Sequence, residues 1–125
     1  MQLLAIALGG ALGAVSRYLS VIAIGNLAGV TFPWGTLTVN VVGSFLMGIL
    51  VVLFDTLNWV PVNIKLMLTI GFLGSFTTFS TFSMDTLRLF EGGETSHALL
   101  YMAASLLLTV AACALGLILA RGFVS

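Results

Sequence analysis

The fold of this chain is decided by the stretch Gly71-Phe-Leu-Gly-Ser-Phe-Thr-Thr-Phe-Ser-Thr-Phe-Ser83. Its thirteen residues include two glycines, six hydroxyl side chains and four phenylalanines. The stretch lies in the third of four apolar segments, at a depth where a membrane protein would normally keep an unbroken helix. Lipid cannot satisfy exposed backbone groups or hydroxyls. We therefore expect this stretch to line a protein interior, a cavity or an ion site.

The composition around that stretch excludes a soluble domain. Of the 125 residues, 60% are hydrophobic and only 6% are charged, whereas soluble domains carry about 25% charged residues. A membrane-spanning helix needs roughly 20 mostly apolar residues, so four of them fill the chain. The formal net charge of zero argues against a nucleic-acid partner. The sequence predicts an all-α integral membrane protein, with residues 1–125 forming a single domain.

Apolar runs and the residues that interrupt them predict where the four helices lie. We expect helices over about residues 2–23, 36–54, 62–90 and 96–120. The glycines and hydroxyl side chains of the opening stretch disfavour an uninterrupted third helix. The third helix is therefore expected to break in the middle of the membrane, near residues 75–78, and to continue as a second half helix.

The distribution of positive charge bears on how the chain inserts. In a four-span topology, Lys65 and Arg121 fall on one side of the membrane, and Arg17 and Arg88 fall on the other. Because this tie gives no preferred orientation, the chain can insert both ways and pair antiparallel with itself. Four helices also enclose very little space, which favours self-association over a pore made by one copy.

The polar residues of the predicted core supply hydrogen-bond donors and no catalytic set. No Ser-His-Asp arrangement, intramembrane carboxylate pair or metal-spaced His/Cys cluster occurs, so catalysis is set aside. The donors are Asn40, Thr77, Thr78, Ser80, Thr81, Ser83 and Tyr101. Together with the positive ring edges of Phe79 and Phe82, such donors suit a small anion, although core packing explains the two rings as well. Unwound backbone carbonyls would instead suit a hard cation such as Na⁺.

Two further polar residues each allow two interpretations. Asn40, near the start of the second helix, needs partners for both its carbonyl and its amide. A bond between helices satisfies this need as well as contact with a ligand does. Arg17 lies past the middle of the first helix, where a charge is costly unless it reaches the interface or finds a partner. It either anchors the helix at one membrane face or attracts an anion to its entry route.

Motifs along the whole chain resemble those of the Fluc family of fluoride channels, also called CrcB. The first helix carries Gly9-Gly10-x-x-Gly13-x-x-x-Arg17, and the second begins with Gly35-Thr36-Leu-x-x-Asn40. The most specific match is Gly71-x-x-Gly74-x-x-Thr77-Thr78-Phe79-Ser80-Thr81-Phe82-Ser83. The resemblance implies passive, selective export of fluoride, which lowers toxic fluoride in the cytoplasm. It also implies an antiparallel, dual-topology homodimer with two pathways in a bacterial or archaeal plasma membrane.

The same resemblance implies roles for individual residues. The backbone carbonyls of Gly74 and Thr77 from both copies would hold a structural Na⁺ that is not transported. Phe79 and Phe82 would be the pore phenylalanines, with Asn40 donating nearby. The remaining roles are a hydroxyl track of Ser80, Thr81 and Tyr101, and a basic residue, Arg17, near the aqueous entrance.

Two residues depart from the family pattern. Ser75 replaces a common glycine beside the expected break, which puts the local backbone geometry in question. Asp85 stands where the family often has Glu, and this change keeps the charge but shortens its reach. A homodimer and a pairing with a close paralogue both fit the sequence.

Two other classes of protein compete with a fluoride channel. A small proton-coupled multidrug antiporter also has four helices in an antiparallel pair, but it needs a carboxylate embedded in the membrane. Asp85 is the nearest candidate for that carboxylate. A non-transporting assembly subunit would use its glycine faces for packing only, which leaves the hydroxyl-rich break unexplained.

Overall fold

The computed structural model describes residues Met1–Ser125, and every element in it is helical. The elements are α1 (Gln2–Ala28), α2 (Trp34–Thr56), α3 (Val62–Leu66), a π-helix π1 (Met67–Leu73), α4 (Gly74–Phe76), α5 (Phe79–Glu91) and α6 (Thr95–Val124). The elements from α3 to α5 follow one another within Val62–Glu91, here called the third segment.

Four helical stretches are long and apolar enough to cross a membrane. They are Gln2–Ala28, Trp34–Thr56, Val62–Glu91 and Thr95–Val124. Only 20 of the 125 residues are buried inside the chain, so apolar side chains cover most of its outer surface. An apolar solvent tolerates such a surface, whereas water does not. The prediction of an all-helical chain with four potential spans is confirmed.

The first helix is longer than the sequence suggested. α1 continues past residue 23 to Ala28, because Gly25 and Asn26 lie within the helix and not in a loop. One glycine inside a helix costs only about 1 kcal/mol relative to alanine, so it does not have to end the helix. The chain turns at Gly29 instead, where a φ of 88° requires a residue without a β-carbon.

Glycines bring the helices into direct backbone contact in two pairs. α2 packs along α6, and α1 packs along the third segment. A β-carbon at Gly48 would collide with the Cys113 carbonyl of α6, and one at Gly9 would collide with the Met67 carbonyl of π1. Such close approach is how helices associate in lipid, where apolar burial gives no net driving force.

The third segment leaves the α-helical conformation twice. π1 widens the helix over Met67–Leu73, and the sequence carries no local signal for this. Thr77 (φ −87°, ψ 157°) and Thr78 (φ −153°, ψ 122°) are then extended. Ser75 and Phe76, which fall in the range where a break was expected, are helical. The extended backbone is therefore confined to two residues, between α4 and α5.

Candidate functional site

A cavity of about 650 Å³ lies beside the two extended residues. Its lining residues are Asn40, Ser44, Thr77, Thr78, Phe79, Phe82, Leu99, Met102, Ala103, Ser105, Leu106 and Thr109. They come from α2, from the third segment around the extended residues, and from α6. The lining combines amide, hydroxyl, aromatic and aliphatic groups and contains no charged side chain. Such a surface can donate hydrogen bonds to a ligand without repelling an anion.

Asn40, which also lines the cavity, holds the extended backbone through its side-chain amide. Its Oδ1 accepts a hydrogen bond from the Thr78 backbone N–H at 2.7 Å. Its Nδ2 donates to the Thr78 carbonyl oxygen at 3.0 Å. Both groups of the amide therefore have partners, and the contact joins α2 to the third segment. One N–H of Nδ2 remains available to a ligand.

The Thr78 side chain begins α5. Its Oγ1 accepts a hydrogen bond from the Thr81 backbone N–H at 3.2 Å, which makes Thr78 the N-cap residue. The same hydroxyl donates to Thr81 Oγ1 at 3.2 Å and lies 3.3 Å from Ser80 Oγ. Ser80 and Thr81 are therefore organised around one buried hydroxyl.

The extended residues interrupt the regular helical hydrogen bonds, and two of the affected carbonyls have donors whose new partners are seen. In an α-helix the carbonyl of residue i accepts from the N–H of residue i+4, so Gly74 would pair with Thr78 and Thr77 with Thr81. Here the Thr78 N–H bonds Asn40, and the Thr81 N–H bonds the Thr78 hydroxyl. The carbonyls of Gly74 and Thr77 are thereby released from the regular helical pattern.

Aromatic rings form a series that begins in the cavity. The ring centroids of Phe79 and Phe82 are 5.3 Å apart, and those of Phe82 and Tyr101 are 5.2 Å apart. Both separations fall in the favourable range for aromatic pairs. Tyr101 is fully buried, and its hydroxyl donates to Asp85 Oδ2 at 3.1 Å. The series therefore ends at a carboxylate outside the cavity lining.

Residues 4–117 match the family model described as CrcB-like protein, Camphor Resistance (CrcB). The chain belongs to the CrcB family. A Magnetococcus marinus protein named fluoride-specific ion channel FluC is 51% identical to it over 121 residues, which cover 97% of this chain and 98% of that relative. Proteins with the same name from Nitrobacter winogradskyi and Agrobacterium fabrum are 47% and 48% identical, and the matches cover at least 93% of each chain. The resemblance read from the motifs is confirmed, and the CrcB-family chain is a multi-pass membrane protein.

The structure brings part of the predicted site of this CrcB-family protein together. Asn40, Thr77, Phe79 and Phe82 all line the cavity. Ser80 and Thr81 are connected to it through Thr78. Tyr101 lies behind Phe82 and contacts its ring without lining the cavity.

Besides Ser80, Thr81 and Tyr101, two further predicted residues do not line the cavity. Gly74 is exposed on the surface of the single chain, one turn before the extended residues. Arg17 is half-buried on α1, and its side chain makes no hydrogen bond or ion pair within the chain. Neither residue is among those that line the cavity.

The cavity also contains polar residues that the candidate set omitted, namely Ser44, Ser105 and Thr109. Ser105 is only 7% exposed, and its Oγ has no hydrogen-bond partner in the chain. The Thr109 hydroxyl bonds the Ser105 carbonyl at 2.6 Å. The signal in the sequence was the spacing of Tyr101, Ser105 and Thr109, since residues four apart share one helix face.

Proposed function

We propose that this protein is a fluoride channel that lets fluoride leave the cytoplasm passively and so limits its toxicity. The observation that carries the proposal is the uncharged cavity beside Thr77 and Thr78, where Asn40, Ser44 and Ser105 each have a donor without a partner in the chain. Fluoride is small and strongly hydrated, so it can leave water only where closely placed donors replace its hydration shell. The cavity offers hydroxyl and amide donors together with aromatic ring edges. The relatives that match nearly the whole chain are named fluoride-specific ion channels, and these names support the same function.

In this proposal the ion passes between side chains that the cavity and its surroundings supply. Asn40, Phe79 and Phe82 contact it within the cavity, and Ser80, Thr81 and Tyr101 continue the path through their hydroxyls. Arg17 supplies positive potential at the aqueous entrance. Chloride is larger and accepts hydrogen bonds more weakly, so the same donors would not compensate for its lost hydration.

We further propose that two copies pair antiparallel, with dual topology. Phe79 is 79% exposed in the single chain, although a pore phenylalanine has to be enclosed. Gly74 is exposed as well. A second copy seated on this surface would enclose both residues. The even split of Lys and Arg between the two membrane sides is compatible with insertion in both orientations.

The proposed break of the third helix lies in the middle of the membrane. Thr77 and Thr78 stand at the centre of Val62–Glu91, so a bilayer that this segment spans would have them near mid-depth. Irregular backbone at that depth is tolerated only inside protein or against a cavity. The cavity beside both residues meets that condition.

A structural Na⁺ at this break fits the oxygen ligands that are present. No group of three or more His, Cys, Asp or Glu side chains in the chain could hold a metal ion. A cation site would therefore use backbone carbonyls, and those of Gly74 and Thr77 are two whose regular helical donors bond other groups. Hard cations prefer such oxygen ligands. Two carbonyls from each of two copies would give four ligands, and the ion would join the copies without being transported.

The function is tested with purified protein in liposomes loaded with fluoride, with chloride-loaded liposomes in parallel. We expect fast fluoride efflux, no chloride efflux and no need for a proton gradient. Release of both anions would contradict selectivity. No release of either anion, together with proton-coupled uptake of an organic cation, would show an antiporter instead.

A further inference from the structure

The contact between Asn40 and Thr78 resembles strand pairing more than a bond between two helices. One side chain accepts from the backbone N–H and donates to the backbone carbonyl of the same residue. A neighbouring strand supplies the same two bonds to an extended residue in an antiparallel sheet. Asn40 can therefore hold Thr78 extended in a protein that contains no sheet. Among natural side chains, an amide supplies this acceptor and donor side by side at neutral pH.

The acceptor half of this contact determines what the Gly74 carbonyl can bind. If Asn40 Oδ1 were absent, the Thr78 N–H would lack its partner in an apolar surrounding. The nearest remedy is a regular helix, in which this N–H returns to the Gly74 carbonyl. The Asn40 oxygen competes with that carbonyl for one proton, and so leaves the carbonyl oxygen without its regular donor.

We propose that Asn40 is a positioning residue for a cation site. Its amide oxygen binds the Thr78 N–H and so keeps the Gly74 carbonyl free to coordinate Na⁺. The inference rests on the structural Na⁺ of the proposed function, and it assigns Asn40 a role that does not require contact with the ion. Thr78 acts in the same way on the other carbonyl, since its hydroxyl binds the Thr81 N–H that would otherwise pair with Thr77.

The two halves of the Asn40 amide can be separated by substitution. Asn40→Leu has a similar shape and removes both the acceptor and the donor. Asn40→Asp keeps an acceptor for the Thr78 N–H and loses the donor to the Thr78 carbonyl. Ser44→Ala is the matched control, because Ser44 lies one turn further along the same face of α2 and lines the same cavity.

The readout is the Na⁺ concentration that half-stabilises the dimer of the full-length protein in detergent, with fluoride efflux from liposomes measured separately. We expect Asn40→Leu to raise this concentration about tenfold, since a backbone donor and carbonyl compete again. Asn40→Asp should stay within about threefold of the wild type, because the diverting acceptor remains. Ser44→Ala should not change it. In efflux, Asn40→Asp should be strongly impaired, because its carboxylate repels fluoride.

Several outcomes would overturn the positioning role. An unchanged Na⁺ requirement in Asn40→Leu would show that Asn40 acts on fluoride alone. Equal shifts in Asn40→Leu and Asn40→Asp would show a packing role that is independent of the acceptor. If Asn40→Leu is not recovered as a folded helical protein, Asn40→Ala replaces it with the same expected shift. A wild-type dimer that is insensitive to Na⁺ would exclude the cation site, whereas Na⁺-dependent dimers without fluoride efflux would contradict only the channel function.

Discussion

Two regions of the molecule associate in lipid in opposite ways. One is the interface between α2 and α6, and the other is the segment around Thr77 and Thr78. Both must associate in lipid, where backbone polar groups have to be satisfied within the protein. At the α2–α6 interface the two helices are continuous. Association there depends on shape, with Gly48 against the Cys113 backbone and Gly116 against the Phe45 backbone.

The segment around Thr77 and Thr78 gives up helical hydrogen bonds and replaces them with side-chain bonds. Asn40 and the Thr78 hydroxyl take over backbone donors, and two carbonyls are released. The α2–α6 interface therefore cannot tolerate added atoms, whereas the segment around Thr77 and Thr78 cannot tolerate the loss of polar groups. We therefore expect substitutions at the α2–α6 interface to impair folding, and substitutions of polar groups around Thr77 and Thr78 to impair ion binding or transport.

The largest effect is expected where shape alone matters. Gly48→Leu places a side chain against the Cys113 carbonyl and the Leu117 N–H of α6, so the helices must separate. Overpacking already costs about 1–3 kcal/mol where side chains can adjust, and backbone cannot adjust in this way. We expect little folded protein, measured by size-exclusion chromatography and thermal unfolding.

Gly122→Leu is the matched control for Gly48→Leu, because a β-carbon at Gly122 would meet no atom within 4 Å. It should behave as the wild type does. A monodisperse Gly48→Leu protein that melts at the wild-type temperature would show that the α2–α6 interface is not set by shape.

The next largest effect is expected in the segment around Thr77 and Thr78, where a substitution should abolish activity without preventing folding. Phe82→Ile removes the ring that contacts both Phe79 and Tyr101, and it keeps an apolar side chain of moderate size. We expect fluoride efflux to fall to the background of protein-free liposomes, while the dimer still assembles. Phe123→Ile, at a position 90% exposed near the end of α6, should keep full efflux. Efflux at the wild-type rate in Phe82→Ile would refute its pore role.

The sequence predicted the fold well because composition controls it. Four apolar stretches can satisfy their backbone in lipid only as helices, and the glycines mark where these helices approach one another. It predicted less about local geometry. No local sequence pattern marks π1. Its Met67 and Phe72 carbonyls lie against Gly9 and Gly13 of α1, and such a tertiary contact cannot be read from the local sequence.

The candidate site was predictable in residue type and less so in pairing. The hydroxyl-rich motif marked Thr77, Phe79 and Phe82, all of which line the cavity. The partner of Asn40 lies 38 residues away in the chain, and no local pattern connects them. Asp85 and Tyr101 lie on different helices, so no periodicity within one helix predicts their contact.

Removal of Na⁺ should have an intermediate effect that is confined to the region around Thr77 and Thr78. An ion present at 100 times its dissociation constant stabilises the species that binds it by about 2.7 kcal/mol. We expect replacement of Na⁺ by a large organic cation to weaken the dimer by a similar amount. The helical content of each copy, which the α2–α6 interface supports, should not change. Circular dichroism and a dimer dissociation assay distinguish these effects, and an unchanged dimer without Na⁺ would contradict the structural ion.

The smallest effect is expected at the carboxylate end of the aromatic series. Asp85→Asn keeps an acceptor for the buried Tyr101 hydroxyl but makes it neutral. Hydrogen bonds to charged groups are stronger than neutral ones by about 1 kcal/mol, so we expect fluoride efflux to fall by no more than about fivefold. It should stay independent of a proton gradient, and Glu91→Gln on the exposed surface of α5 should have no effect. An obligate proton carrier would instead lose transport entirely in Asp85→Asn. Partial efflux would therefore show that Asp85 serves as a hydrogen-bond acceptor, and that ion selection depends on the uncharged groups around Thr78.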